Sequence, residues 1–260
     1  MTNDQREYES SVVSRRFRVP NRNGSDFSVN ASRATSRKLP REFYTRGSVL
    51  TVARQLLGKV LVTRTSDGTR VAGTIVETEA YRGPQDRASH AYGGRRTRRT
   101  ETMYRIGGTA YVYFVYGMYH QFNVVTNIDE IPHAVLVRAL EPLEGVEIMR
   151  GRRPGQSDGD LTNGPGKLCI AMGIDRRLDC ADLLGDGVWI ETGAPRIVPA
   201  SIVCGPRIGI DYAGLWAKKP WRFWIKGNAF VSRPNNVGGG GAPARRWSET
   251  RHGRLREREG

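Results

Sequence analysis

The sequence has few cysteines, no long apolar run and no apolar segment at its start. Its three cysteines, Cys169, Cys180 and Cys204, are odd in number and far apart, and no C-x-x-C pair is present for zinc or redox chemistry. We therefore expect reduced, packed thiols. No hydrophobic stretch approaches membrane-spanning length, and the N-terminus lacks the apolar region of a signal peptide. These absences favour a soluble intracellular protein.

Acidic residues are also scarce, with 26 against 41 Lys and Arg, which gives a formal charge of +15. Residues 1–38 and 236–260 are polar and bury too little apolar surface to offset chain entropy, so we predict two disordered basic tails. These tails carry net charges of +4 and +3, which leaves +8 on residues 39–235. A polyanionic partner is the natural interpretation, and solubility in a basic proteome is the alternative that composition leaves open.

Between the tails, the pattern predicts short hairpins mixed with helices. The predicted strands cover residues 59–64, 70–79, 110–115, 121–126, 134–140, 188–191, 200–204 and 222–226. The predicted helices cover residues 48–57, a segment that Pro142 opens and that runs through Met149, and a segment from Asn163 to Gly173. Hairpins without regular βαβ alternation indicate the α+β class, in one domain over residues 39–235.

One stretch combines carboxylates, rings and cations. Glu77, Glu79 and Tyr81 share one face of a predicted strand because side chains alternate, and His90 follows nearby. A block of four arginines comes next: Arg95, Arg96, Arg98 and Arg99. A carboxylate in a partly dry pocket can position water, so Glu79 is a candidate catalytic group, although most such faces are simply solvated. The combination suits a site that grips a flat, electron-poor group beside a phosphate backbone.

A metal site is the alternative for these acids. Glu77, Glu79, Asp86 and His90 could ligate a cation and so support a metal-dependent nuclease, but their spacing fits no strict ligand motif.

The next aromatic strand carries a candidate wedge. We assign Tyr111 and Phe114 as ordinary sheet residues, because aromatic residues are common in strands. Tyr116 directly precedes Gly117, where the chain can turn, so its ring could stand at a hairpin tip and insert between bases.

Two further features have open interpretations. Arg138 interrupts an apolar strand and must find a partner, Glu79 or Glu141, as a structural salt bridge or as a catalytic clamp. Gly166 and Lys167 belong to a Gly-Pro-Gly-Lys segment that lacks the Ser or Thr of a P-loop. Its backbone amides could still hold one phosphate, and a plain helix start is the alternative.

Taken together, these segments closely resemble the alkyladenine (3-methyladenine, or methylpurine) DNA glycosylase family. The matching segments are residues 39–43, 53–58, 75–81 with 83–84 and His90, 111–123, 136–142, 163–168, 205–209 and 219–223. They follow one order over about residues 39–233. The resemblance implies a single mixed domain with a curved, largely antiparallel sheet, packed helices and a protruding β-hairpin, flanked by the disordered tails.

The resemblance also implies a role for each matched residue. Glu79 would activate water and Arg138 would help to hold that water, with the main-chain carbonyl of Val231 as a further contact. Tyr81 would stack on one face of a flipped base, with His90 and Tyr113 against the other. Asn123 would exclude the 2-amino group of guanine. Tyr116 would intercalate, and the arginine block with Gly166 and Lys167 would contact the DNA backbone.

By the same resemblance, the activity is base excision from duplex DNA. Alkylated or deaminated purines (3-methyladenine, 7-methylguanine, hypoxanthine, ethenoadenine) would be flipped out and hydrolysed from the sugar. No lysine falls at the matched catalytic positions, so the product would be an intact strand with an abasic site. We expect no cofactor, a monomer, and an abasic-site endonuclease downstream. The expected location is the cytoplasm of a bacterium, with the nucleoid, or the nucleus or an organelle of a eukaryote. A non-catalytic binder of damaged DNA is the alternative from another class.

Overall fold

Strands pair antiparallel into one curved sheet in the computed structural model, which describes residues 37–115, 117–193 and 197–232. The strands are β1 (Val60–Arg64), β2 (Arg70–Arg82), β3 (Ala110–Val115), β4 (Tyr119–Thr126), β5 (His133–Glu144), β6 (Val188–Glu191), β7 (Ile202–Gly205) and β8 (Arg222–Ile225). Their order is β3-β4-β5-β2-β1-β6, and β8 joins β2 to β7. Together with the helices, this sheet confirms the α+β class.

Strand β2 is the centre of the sheet, because it pairs with three other strands. One edge pairs with β5, while the other pairs with β1 at residues 70–74 and with β8 at residues 77–79. Register shifts against β5 occur on either side of Glu77, and such irregularities bend a strand. Residues 75–80 are all buried, so the carboxylates of Glu77 and Glu79 lie inside the protein.

Helices cover the sheet. They are α1 (Arg41–Tyr44), α2 (Val49–Leu56), α3 (Val146–Arg152) and α4 (Pro165–Met172). Helix α2 starts at Ser48, whose Oγ accepts the Thr51 amide at 3.3 Å, and it buries Val52 and Leu56. The Thr78 hydroxyl of β2 donates to the Ala53 carbonyl at 2.9 Å, which ties this helix to the central strand.

The two predicted hairpins and the predicted helices at residues 48–57 and 163–173 agree with the structure. The helix predicted from Pro142 is wrong: β5 continues to Glu144, and α3 begins only after Gly145, whose φ is 69°. Pro142 lies opposite Gly73 beside a register shift, where a strand tolerates a missing amide donor. The strand predicted from residue 200 begins at Ile202, after a 3-10 turn.

The N-terminal boundary of the domain lies slightly earlier than predicted. Lys38, assigned to the tail, forms a β-bridge with Glu191 and an ion pair with Asp186 at 2.6 Å. The rest of the predicted tails, residues 1–36 and 236–260, lies outside the described residues.

All three cysteines are free thiols. Cys169 is buried, but Cys204 is exposed, so the expectation of packed thiols is wrong for Cys204. Within the ranges described, no helix has the length and apolar character needed to cross a membrane.

Candidate active site

Glu79 lies near the end of β2, fully buried and surrounded by three donors. Its Oε1 accepts the amide of Ile208 at 2.8 Å and lies 3.1 Å from Nη1 of Arg138. Its Oε2 accepts the hydroxyl of Tyr81 at 2.8 Å. A carboxylate can accept about four hydrogen bonds, so this arrangement leaves capacity on Oε2 for one further partner such as water.

Glu77, two residues earlier, accepts a second buried network. Its Oε1 accepts Nε of Arg138 at 3.0 Å, Nη1 of Arg222 at 3.0 Å and the hydroxyl of Ser232 at 2.9 Å. Its Oε2 accepts the Ser232 amide at 2.7 Å. Glu77 is therefore saturated by donors, and its role is to hold Arg138 in place.

Arg138 bridges the two glutamates and also borders a cavity. Burial alone would lower its pKa, but the carboxylates of Glu79 and Glu77 outweigh burial and raise that pKa. The predicted pairing with Glu79 is confirmed. The alternative partner Glu141 is wrong, because its carboxylate accepts the amide of Asn228 at 2.7 Å. Arg138 is thus both a buried ion-pair partner and part of the cavity wall.

A cavity of about 150 Å³ with aromatic walls is bordered by Arg138. Tyr81, His90, Tyr113 and Asn123, four of the five predicted base-pocket residues, line it, as does the predicted catalytic residue Arg138. The rings of His90 and Tyr113 meet edge to face, with centroids 4.7 Å apart, while the Tyr113 hydroxyl is held by Gln121. The amide of Asn123 donates to the Tyr111 carbonyl at 3.2 Å, which fixes that side chain. The cavity therefore has ring walls and one immobilised amide.

His90 is neutral at pH 7. Burial, with help from Arg99 and Arg95, lowers its pKa from 6.5 to about 4. Its Nδ1 lies 3.0 Å from the hydroxyl of Tyr111. Burial likewise raises the pKa of Tyr111 to about 12, so this phenol is also uncharged. The ring walls thus present no charge of their own at neutral pH, and Arg138 is the charged residue among the described residues that line the cavity.

The structure does not bring Val231 to this cavity. It borders a separate open concavity with Asn228 and Ser232, and its amide donates to the Asn228 carbonyl at 3.4 Å. Its neighbour Ser232 reaches the site instead, through Glu77 and Arg138.

Comparison with known proteins shows the family of the chain that carries this buried acid and aromatic cavity. Residues 42–229 match the family model of methylpurine-DNA glycosylase. A relative from Clostridium acetobutylicum is 51% identical over an alignment of 203 positions, and the match covers 75% of this chain and 97% of the relative. Relatives from Bacillus cytotoxicus and Desulfitobacterium hafniense are 49% and 48% identical, with 75% of this chain and 100% and 98% of theirs covered. All three are named, provisionally, 3-methyladenine DNA glycosylase.

The chain belongs to the methylpurine-DNA glycosylase family. It is accordingly a DNA glycosylase, a hydrolase of N-glycosyl bonds that acts on damaged DNA in base excision repair. This assignment decides for the enzyme over the non-catalytic DNA binder.

The four residues of the arginine block of this glycosylase differ in their contacts. Arg96 forms ion pairs with Glu101 at 2.7 Å and Glu130 at 2.5 Å. Arg99 is exposed, and its guanidinium carbon lies 4.8 Å from the centre of the ring of Tyr113, which lines the cavity. Arg95 and Arg98 are exposed.

Gly166 and Lys167 stand in the first turn of α4. A Cβ at Gly166 would come within 2.8 Å of the Tyr119 ring, so glycine allows the close contact between this helix and β4. Lys167 Nζ donates to Asn163 at 2.7 Å and lies 3.4 Å from Asp160. The predicted wedge Tyr116 lies outside the described residues; its neighbour Gly117 has a φ of 70°, as a tight turn requires.

The four residues considered as metal ligands do not converge. Asp86 pairs with Arg207, His90 contacts Tyr111, and Glu77 is taken up by arginines and Ser232. Across the described part of the chain, no group of three or more His, Cys, Asp or Glu side chains is arranged to hold a metal ion.

Sequence reasoning missed three residues at this site. Arg207 is fully buried, pairs with Asp86, and lies 4.7 Å from the centre of the Tyr81 ring. Tyr111 was assigned to the sheet alone, yet its hydroxyl orients His90. Ile208 contributes only a backbone amide, for which no side-chain signal exists. For Arg207, the signal was its place in the matched segment 205–209, beside glycine and proline.

Proposed function

We propose that this glycosylase removes alkylated and deaminated purines from duplex DNA, including 3-methyladenine, 7-methylguanine, hypoxanthine and ethenoadenine, and leaves an abasic site in an uncut strand. The observation that carries the proposal is the buried Glu79, which contacts three residues of the cavity wall (Tyr81, Arg138 and Ile208) and has one acceptor position left for water. The provisional names of the relatives, which specify 3-methyladenine, support the substrate class.

The cavity fits a single flipped base. A cavity of roughly 150 Å³ accommodates a benzene-sized ring, so a purine would fill this one to its mouth. Rotating a base out of a duplex costs a few kcal/mol, and least for damaged pairs. Alkylation at N3 or N7 makes the purine cationic, and rings such as Tyr81 and Tyr113 attract a cation over their faces. Asn123, held against the Tyr111 carbonyl, would exclude the 2-amino group of guanine.

In the proposed reaction, the bond between C1′ and the purine nitrogen breaks and its electron pair leaves with the base. Water adds to C1′ and gives its proton to Glu79, while Arg138 keeps the carboxylate in position. An alkylated cationic purine is already a good leaving group, whereas hypoxanthine and ethenoadenine need protonation. Neutral His90 is not the donor at pH 7, because its pKa is about 4.

The composition of the cavity wall supports the proposal of an uncut product. None of the described residues that line the cavity is a lysine, so no amine is at hand to attack C1′ and cleave the strand. We further propose that the enzyme acts as a monomer, with Tyr116 filling the gap in the duplex, and that a separate endonuclease processes the abasic site.

The test is incubation of the full chain with duplexes that carry each lesion, in EDTA, with products analysed before and after hot alkali. We expect base release and a strand break only after alkali. Breaks without alkali, or activity lost in EDTA, would contradict the proposed chemistry. In the same assay, Asn123→Ser should gain activity on guanine-containing mispairs, and no gain would assign guanine exclusion to another group.

A further inference from the structure

Two separate segments border the mouth of the cavity. One is the β3–β4 hairpin, which contributes Val115 and Gln121 to the lining. The other is residues 208–216, called here the loop rim, which contributes Ile208, Gly209, Ile210 and Tyr212. Both segments thus supply side chains or backbone to the wall of the cavity that would receive the base. The inference below rests on the proposed function.

The loop rim exposes apolar side chains. Leu215 (79% exposed) and Tyr212 (72%) are the two most exposed large hydrophobic residues in the described part of the chain. Met118 (62%) occupies the corresponding place at the turn of the hairpin. Tyr212 lines the cavity, and Leu215 lines a separate open concavity with Asp211 and Lys218. Exposed apolar groups beside a site mark a contact surface. The hairpin, which carries the proposed wedge, and the loop rim thus both expose apolar side chains.

The loop rim is rigid beneath these side chains. Ala213 is buried against Ala88 and Ile210, and the Trp216 ring packs on Trp221 with centroids 5.6 Å apart. Gly214, with a φ of 61°, allows the chain to reverse between the two exposed residues. Little conformational freedom therefore remains to be lost when this surface meets a partner.

Charge beside the loop rim fits a nucleic acid. Lys218 is exposed, and Lys219 lies over the Trp216 ring at 4.6 Å. Asp211 is the single acid among residues 208–219, so this segment has a net charge of +1. Apolar side chains flanked by cations are the means by which proteins enter a DNA groove and hold it bent.

We propose that Tyr212 and Leu215 form a second DNA-contact element, which packs against sugars and base edges of the duplex beside the flipped nucleotide. Tyr212 faces the flipped nucleotide, since it also lines the cavity. Leu215, farther along the loop, meets the neighbouring base pairs. Together with the hairpin, this element holds the duplex from both borders of the mouth.

The test compares Leu215→Ser with the matched control Ile128→Ser, which changes a 57% exposed apolar residue outside the loop rim. Affinity is measured for a duplex with a non-cleavable abasic-site analogue, at several salt concentrations. We expect Leu215→Ser to weaken binding on the order of tenfold, about 1.4 kcal/mol. Because no charge is removed, the slope of log K against log salt should stay constant, whereas Lys218→Ala should reduce it by about one. Ile128→Ser should bind as the wild type.

An affinity of Leu215→Ser within twofold of the wild type would overturn the proposal and leave the surface to a protein partner. Tyr212→Ala is a second test, and an unchanged duplex affinity of this variant would equally contradict the proposal. Excision by the wild-type protein separates the two levels of inference. If the wild type releases damaged bases while Leu215→Ser binds normally, only the second element is refuted.

Discussion

The two ends of strand β2 carry clusters of the same chemical types with different outcomes. At its start, Arg70 pairs with Glu191 at 2.9 Å and with Glu144 at 3.1 Å, beside the Trp189 ring. At its end, Arg207 pairs with Asp86 behind the Tyr81 ring. Each cluster thus combines an arginine, a carboxylate and an aromatic ring.

The difference lies in what covers the ring. Trp189 is buried, has three cations near it (Lys38, Arg64 and Arg70), and donates its Nε1–H to Glu191 at 2.6 Å. Tyr81 has a cation near it, lines a cavity, and donates its hydroxyl to Glu79. A closed cluster stabilises the sheet, whereas an uncovered ring beside a buried acid can bind and react. Residue types alone do not separate the two.

The largest contrast should come from the two buried glutamates. Glu79→Gln is expected to reduce base excision by roughly 10²–10⁴-fold, because an amide cannot take the proton of water. Lesion binding should persist. Glu191→Gln, at the closed cluster, should affect the denaturant midpoint and leave excision within a few-fold of the wild type.

Single-turnover excision and lesion affinity, measured on both variants, check this expectation. Residual activity of Glu79→Gln within tenfold of the wild type would contradict the role given to Glu79.

The paired arginines should give the next contrast. Lysine keeps the charge but lacks the planar fork with which Arg207 contacts both oxygens of Asp86 and the Ala80 carbonyl. We expect Arg207→Lys to slow excision by about 10- to 100-fold, since small displacements near reacting groups have effects of that size. Arg70→Lys should slow it by less than about threefold.

Single-turnover rates and urea unfolding of both variants supply the measurement. Equal loss of rate in the two would show that the clusters do not differ in function.

Replacing the two rings should have smaller effects, on lesion affinity for Tyr81 and on stability for Trp189. Tyr81→Leu removes a stacking face, worth about 1–3 kcal/mol per base, so affinity for a lesion duplex should fall about tenfold. Trp189→Leu should lower the free energy of unfolding by a few kcal/mol and leave lesion affinity intact. Fluorescence titration with ethenoadenine duplexes and urea unfolding distinguish the two. A drop in lesion affinity for Trp189→Leu would erase the contrast.

Acid should destabilise the protein in part through His90. The pKa of His90 falls to about 4 in the folded protein from its ordinary 6.5, so the unfolded chain takes up the proton first. The resulting stability is complete above pH 6.5 and is lost as pH falls toward 4. By pH 5 the loss should be roughly 1 to 2 kcal/mol, and His90→Gln should reduce it. The same pH dependence in His90→Gln and the wild type would contradict this account.

Much of the fold could be predicted, because alternation and turn residues act locally. Gly117 and Gly173 ended the predicted elements at the observed places. Pro142 misled the prediction because its tolerance depends on the register opposite Gly73, which is a tertiary property. The exposure of Cys204 likewise depends on where β7 lies in the sheet.

The candidate site was predicted less completely. The resemblance singled out Tyr81, His90, Tyr113, Asn123 and Arg138, which line one cavity, and Glu79, which pairs with Arg138 beside it; their roles stay predictions. The function of Glu77 as the anchor of Arg138 required knowing that both faces of β2 are covered. Asp86 and Arg207 are 121 residues apart in sequence, so no local pattern could join them.

The amide of Ile208 has one more consequence. Genetic variation can erase the hydroxyl of Tyr81 or the guanidinium of Arg138, but any residue other than proline at position 208 still offers an N–H to Glu79. This hydrogen bond to Glu79 therefore depends on the path of the main chain and not on the side chain at position 208. Libraries built to retune lesion choice can therefore randomise position 208 freely, proline excepted, without releasing the carboxylate.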